Sequence, residues 1–210
     1  MFDYYIFGLQ RSGTTFFERL LTNTFNARWL NGAGTWKHEL HVPDIIWENK
    51  HTAFVTFKNP YTWMEGIIFR EHADLLVTAT DYGLQEDTGP GSVIWNDGIN
   101  IANAAKLYAV YAERWLAAAD AGCVHVMRYE DMLTQQGKDM LATHLKLGRG
   151  IIDWNVPEPG SLFMSEGFTS SMVPYYLNMH PTMFTSDQVK TISDNIPDEI
   201  FTKLGYYKIT

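Results

Sequence analysis

The chain has 210 residues, enough for one domain with a sizeable core, and 46% of them are hydrophobic. A formal charge of −8 disfavours a general nucleic-acid binder, so any anion site has to be a local cluster of donors in an acidic protein. The lone Cys123 rules out a disulfide framework within the chain and fits a reducing, cytoplasmic setting. The opening residues do not read as a secretion signal, and no uninterrupted apolar run approaches the roughly 18 residues of a membrane span.

Residues 4–7 are apolar without alternation, the pattern of a parallel strand covered on both faces. Gly8 and Gly13 bracket a turn, where glycine takes backbone angles that other residues resist. A helix follows, with Phe16 over Leu20 and Phe17 over Leu21 at i, i+4. After a loop at 31–34, residues 35–42 predict a short strand or strand end. Residues 53–57 predict a second buried strand, stopped by Asn59 and Pro60, and 61–80 a helix with Met64, Ile67, Ile68 and Leu75 along one side. The Gly- and Asp-rich stretch 81–97 reads as a loop, and 99–121 as the longest helix. A third core strand is expected over 123–127, a helix over 130–147, a long loop over 155–174, and one or two closing helices over 186–204. Strands alternating with helices imply an α/β fold, a parallel sheet flanked by helices with ligands at the carboxyl ends of the strands.

The most informative stretch is residues 8–15, G-L-Q-R-S-G-T-T. A glycine turn between a buried strand and a helix start suits a phosphate or sulfate, because unpaired N–H groups and the helix dipole both point there. Ser12, Thr14 and Thr15 add hydroxyls, and Arg11 adds a fixed charge with a fork of donors. A triphosphate loop of spacing G-x-x-x-x-G-K-[ST] needs a lysine to reach the β- and γ-phosphates. Thr14 stands in that place, which argues against ATP or GTP hydrolysis. R-S-G-T-T after a strand instead resembles the 5′-phosphosulfate loop of the sulfotransferases, which move a sulfuryl group from 3′-phosphoadenosine 5′-phosphosulfate to a hydroxyl or amine. The resemblance implies a P-loop-containing nucleotide-binding fold over residues 1–210 as a single domain. It also implies that this nucleotide is the cofactor, adenosine 3′,5′-bisphosphate the product, and Gly8, Arg11, Ser12, Gly13, Thr14 and Thr15 the cofactor-binding loop.

Three other stretches resemble that family. In V-T-F-K-N-P-Y-T-W-M-E-G, residues 55–66, Lys58 takes the place of the arginine that holds the 3′-phosphate. Asn59 and Pro60 match, while Gly66 replaces the family's serine; a lysine grips phosphate less specifically than a guanidinium fork. R-Y-E-D at 128–131 resembles a later core strand, with a mainly structural expectation: Glu130 and Asp131 cap the next helix and Arg128 pairs with a carboxylate. In W-K-H-E at 36–39, the resemblance implies His38 as general base and Lys37 near the sulfuryl group, with Glu39 the rival base and His41 a weaker one. The cytosolic members have a residue between the lysine and the histidine; here the two are adjacent, so on a strand they face opposite sides. His38 and His41 lack the further ligands of a zinc site, and no metal is expected. The family's basic C-terminal segment is absent, since no Lys or Arg lies between Arg149 and Lys190. In its place, the hydroxyls of 165–171 are candidates to cover the site. The likeness is thus closer to the small bacterial-type members than to the mammalian cytosolic ones.

The expected activity is sulfuryl transfer to a small-molecule or glycan acceptor, whose pocket the loop 81–97 and Trp36, Trp63 and Trp95 are candidates to shape. Two alternatives stay open, a nucleotide or small-molecule kinase on the same fold and a non-catalytic adenosine-phosphate-binding relative. The sequence does not fix the oligomeric state.

Overall fold

The computed structural model describes residues 3–25, 27–30, 37–48, 51–68, 94–95, 98–99, 101–145, 173–178, 181 and 183–210. Four strands form a parallel sheet: β1 (Asp3–Gly8), β2 (Arg28–Trp29), β3 (Thr52–Phe57) and β6 (His125–Arg128), in the order β2-β1-β3-β6. The register pairs Tyr4 with Thr52 through to Gly8 with Thr56, and Phe54 with His125 through to Phe57 with Arg128. A separate two-residue antiparallel pair joins β4 (Ile94–Trp95) to β5 (Gly98–Ile99).

Both faces of the sheet are covered, so its central strands carry apolar side chains on both faces rather than alternating, with Thr56 the buried polar exception. Tyr5, Phe7, Ala53, Val55 and Phe57 point to one face. They pack there against α3 (Pro60–Ile68), α4 (Ile101–Asp120), α8 (Ser186–Asn195) and α9 (Asp198–Leu204). Buried alanines along α4, at 104, 105, 109, 112 and 118, bring its backbone close to this layer, while Trp115 fills the space beside Phe7. Tyr4, Ile6, Phe54 and Met127 point to the other face, onto Phe16, Phe17, Leu20 and Leu21 of α1 (Thr14–Phe25). These are the two i, i+4 pairs of the sequence pattern, and each such side chain fully buried contributes about 1.5–3 kcal/mol.

Sequence order reverses between β1 and β3: the chain leaves β1 toward β2 on one side and returns to β3 on the other. The crevice at the carboxyl ends of those two strands is where open parallel sheets bind ligands. The loop after Gly8 and the segment starting at Lys58 both open onto it.

Several expectations need correction. The strand predicted over 35–42 does not form in its described part: Lys37 and His38 lie in a turn, and the short helix α2 (Asp44–Trp47) follows soon after. Arg28–Trp29 is an edge strand too short to show a pattern. The helix predicted over 130–147 is two helices, α5 (Tyr129–Met132) and α6 (Gln135–His144), because the Thr134 side chain accepts from the Gly137 N–H and caps a fresh start. Ile94–Trp95 pairs as a strand within the predicted loop, and α7 (Val173–Asn178) begins inside the loop expected over 155–174. The closing region is two helices, and Thr185 with Gln188 forms a capping box at the first. The predicted loop at 31–34, residues 69–80 of the helix predicted over 61–80, Trp36 and the hydroxyl-rich 165–171 lie outside the described residues. Among the described residues no helix is long and apolar enough to cross a membrane.

Candidate functional site

The loop after β1 is shaped by two left-handed residues, Arg11 (φ 68°) and Gly13 (φ 94°). A side chain at 13 would be strained by that angle and would also collide with Tyr129, whose Cδ2 lies 2.3 Å from a Cβ built there. Gly8 was expected to supply unusual backbone angles; instead it ends β1 with ordinary ones, and its requirement is space. A Cβ built on it falls 2.2 Å from Thr56 Oγ1 and 2.3 Å from Ser12 Oγ.

Those two hydroxyls form a buried relay. Thr56 Oγ1 donates to the Phe7 carbonyl at 3.2 Å, so it receives the Ser12 hydroxyl proton at 2.9 Å. The Ser12 amide is also taken, by the Leu9 carbonyl at 3.0 Å. Ser12 was expected to present donors to the anion; its hydroxyl and amide are turned inward, and it shapes the loop. On the other side the Trp63 Nε1–H donates to the Gln10 carbonyl at 2.8 Å. Trp63, offered as a pocket wall, is 1% exposed and braces the loop from within.

The first backbone bond of α1 is Phe17 N–H to the Gly13 carbonyl, and no acidic residue lies in its first turn. The amides of Gly13, Thr14, Thr15 and Phe16 therefore form the electropositive end of a helix in the α/β crevice. Thr14 is buried, with its methyl toward Gly8, whereas Thr15 is exposed and its hydroxyl accepts from Lys37 Nζ at 3.3 Å.

Lys37 and His38 arrive through a double hydrogen bond rather than along a strand. The Gly8 N–H donates to the Lys37 carbonyl at 3.0 Å, and His38 Nδ1 lies 2.6 Å from the Gly8 carbonyl. A carbonyl only accepts, so Nδ1 carries the proton and Nε2 carries the lone pair. Burial pushes the His38 imidazole down to about 4, with the Gly8 bond opposing and the Lys37 charge assisting. The ring is neutral at pH 7. Lys37 Nζ also sits 5.5 Å from the centre of the Trp29 ring. Beyond this turn, the Glu39 carbonyl accepts from Trp115 Nε1 at 3.3 Å, which anchors the segment to α4. His41 is exposed, 3.4 Å from Arg114.

At the end of β3, Asn59 and Pro60 have a local explanation. Asn59 Oδ1 accepts from the amides of Tyr61 and Thr62 as an N-cap, and proline occupies the first helical position of α3. Lys58 is 5% exposed, with its ammonium 5.2 Å from the Tyr129 ring centre and 4.2 Å from that of Tyr176. A Cβ built at Gly66 lies 3.4 Å from Lys58 Nζ, so the two positions paired by their spacing in sequence are neighbours in space. Sequence reasoning missed Thr56, Tyr129 and Tyr176; the one signal for Thr56 is a polar residue inside a buried strand, directly across from Gly8.

Arg128 binds Asp131 through two nitrogens, at 2.7 and 2.5 Å, and donates to the carbonyls of Leu204 and Gly205. Glu130 and Asp131 were expected to cap a helix. Asp131 is instead the partner of Arg128, and Glu130 turns into the core, where it accepts from the Asn59 N–H and the Tyr206 hydroxyl. Among the described residues no group of three or more His, Cys, Asp or Glu side chains gathers as a metal site. No protein-family model, curated protein or solved structure matches this chain.

Proposed function

We propose that the chain is a P-loop-type sulfotransferase that uses 3′-phosphoadenosine 5′-phosphosulfate and transfers its sulfuryl group to an acceptor oxygen or nitrogen. The observation that carries this reading is the double hydrogen bond between Gly8 and residues 37–38. It holds a cation and a neutral imidazole against a helix N-terminus whose loop reads R-S-G-T-T. The nucleotide, once bound, supplies an activated sulfuryl whose bond to the 5′-phosphate oxygen breaks as the acceptor bonds sulfur.

In this reading the amides of residues 13–16 and the Arg11 guanidinium hold the 5′-phosphosulfate by charge-assisted hydrogen bonds. Lys37, beside Thr15, balances the negative charge that grows on the departing phosphate. His38 Nε2 receives the acceptor's proton; an anion bound nearby favours its protonated form and raises its basicity from the resting value. Lys58, at the end of the neighbouring strand, is the cation for the 3′-phosphate. Thr14 in place of the triphosphate-loop lysine weighs against the kinase reading.

Isothermal titration with adenosine 3′,5′-bisphosphate and with ATP–Mg²⁺ tests the assignment. Tight bisphosphate binding supports it. Preference for ATP–Mg²⁺ replaces it with a kinase, and bisphosphate binding without turnover on a panel of phenol, sugar and amine acceptors replaces it with a non-catalytic nucleotide binder.

A further inference from the structure

A buried carboxylate not used in this chemistry lies directly behind the 3′-phosphate candidate. Glu130 is 1% exposed, inside a core built mostly of aromatic and aliphatic side chains. Desolvation raises its proton affinity, while bonds from Asn59 and Tyr206 and the charge of Lys58 oppose that rise. Keeping a carboxylate there is costly unless its hydrogen bonds are met, and they are. Oε1 accepts from the Asn59 N–H at 2.9 Å, and Oε2 accepts from the Tyr206 hydroxyl at 2.8 Å.

The Asn59 N–H belongs to the same peptide group as the Lys58 carbonyl. That carbonyl accepts from the Tyr108 hydroxyl at 2.7 Å. Both polar ends of one peptide are therefore gripped by buried side chains from two different helices, Tyr108 of α4 and Glu130 of α5. With both ends fixed, the plane of that peptide cannot rotate, and the backbone at Lys58 is set along with the direction in which its side chain leaves the strand. A helix start already has its cap in the Asn59 side chain, so the grip on the preceding peptide serves the residue before the cap.

We propose that Glu130 and Tyr108 are positioning residues for Lys58, locking the Lys58–Asn59 peptide so that the ammonium is held at the place of the nucleotide's 3′-phosphate. This rests on the nucleotide assignment above. Tyr206 completes the device by holding the second oxygen of Glu130, which links the turn after α9 to the phosphate site.

The test is isothermal titration of adenosine 3′,5′-bisphosphate and adenosine 5′-phosphate against the wild type, Tyr108→Phe, Glu130→Ala and Glu130→Gln, with thermal melting of each. A contribution to fold alone weakens both ligands together, whereas positioning of Lys58 weakens the bisphosphate selectively. Tyr108→Phe removes one oxygen and keeps the ring; it should raise the bisphosphate Kd several-fold, on the order of one lost hydrogen bond, and leave the 5′-phosphate Kd unchanged. Glu130→Ala should reduce the preference about tenfold or more. Glu130→Gln keeps an acceptor for the Asn59 N–H and should restore most of it. If Glu130→Ala does not fold, Tyr108→Phe and Glu130→Gln still decide. Equal losses for both ligands, or an unchanged preference in Tyr108→Phe, overturn the positioning role while leaving the nucleotide assignment standing. A wild type that binds neither ligand removes both, and one that binds them equally removes the role of Lys58 and its positioning together.

Discussion

Protonating His38 should destabilise the fold, and the size and direction follow from its surroundings. The imidazole is held at about 4 in the folded chain against 6.5 for an ordinary histidine, chiefly because burial disfavours the charged ring. Above 6.5 the ring is neutral in both states and contributes its full stability. As the pH falls from 6.5 toward 4 the unfolded chain takes up a proton that the folded chain refuses, so stability declines across that window and levels off below it. The gap of about 2.5 pH units, at about 1.4 kcal/mol each, sets an upper limit of about 3.5 kcal/mol. The residue is not fully enclosed, and solvent brings the observed span below that limit. Glu18 and Glu130 work in the opposite direction, since burial raises both and the folded chain binds their protons more readily. The assay is therefore a difference: urea unfolding of the wild type and His38→Gln at several pH values, in which the carboxylate contributions cancel. The wild type should lose stability relative to the variant as the pH drops below 6.5. Parallel curves over that window would refute the buried neutral ring on which the proposed base role of His38 rests.

Arg11→Ala should weaken adenosine 3′,5′-bisphosphate by about ten- to a hundredfold, the range of a lost charge-assisted contact, with little change in melting temperature because Arg11 is only half-buried; unchanged titration would remove the loop from the site. His38→Ala should lower kcat by about 10² to 10⁴ with bisphosphate affinity nearly unchanged. Glu39→Gln should keep near-normal turnover, and the reverse pattern in steady-state kinetics would move the base to Glu39. Asn59→Ala should lower unfolding free energy by about 0.5–2 kcal/mol through the lost cap, read by urea denaturation.

What was legible in the sequence was local. Residues 4–21 announce a strand, a turn and a helix because the apolar run, the glycines and the i, i+4 pairs are each contiguous in the chain. The site's second half was not legible in its geometry. Residues 37–38 take their position from Gly8, about thirty residues earlier, and no periodicity within W-K-H-E records that bond. Trp63 illustrates the same limit from the other side: a tryptophan near a ligand motif suggests a pocket wall, but its indole N–H is spent on the Gln10 carbonyl in the core. Ser12 reads as an anion donor until Thr56, a residue on another strand, claims its proton.

The adjacency of Lys37 and His38 shows how the turn changes the chemistry. On a strand, neighbouring side chains face opposite ways, and one of the two would be lost to the site. In the turn both point at the loop: the ammonium reaches Thr15 at the start of α1, and the imidazole reaches the Gly8 carbonyl that ends β1. The bond to Gly8 also divides the work between the two ring nitrogens. Nδ1 is committed to the backbone, so the ring's orientation is fixed by the strand that ends in the loop, and any shift of that strand end moves the imidazole together with the start of the loop. On the proposed reading, a sulfuryl donor on the helix N-terminus and a base on the strand end share one reference frame. Lys37 and the helix start set a local concentration of positive charge beside the Arg11 turn in a protein with a net charge of −8, and the Glu18 carboxylate lies close enough to Lys37 to offset part of it.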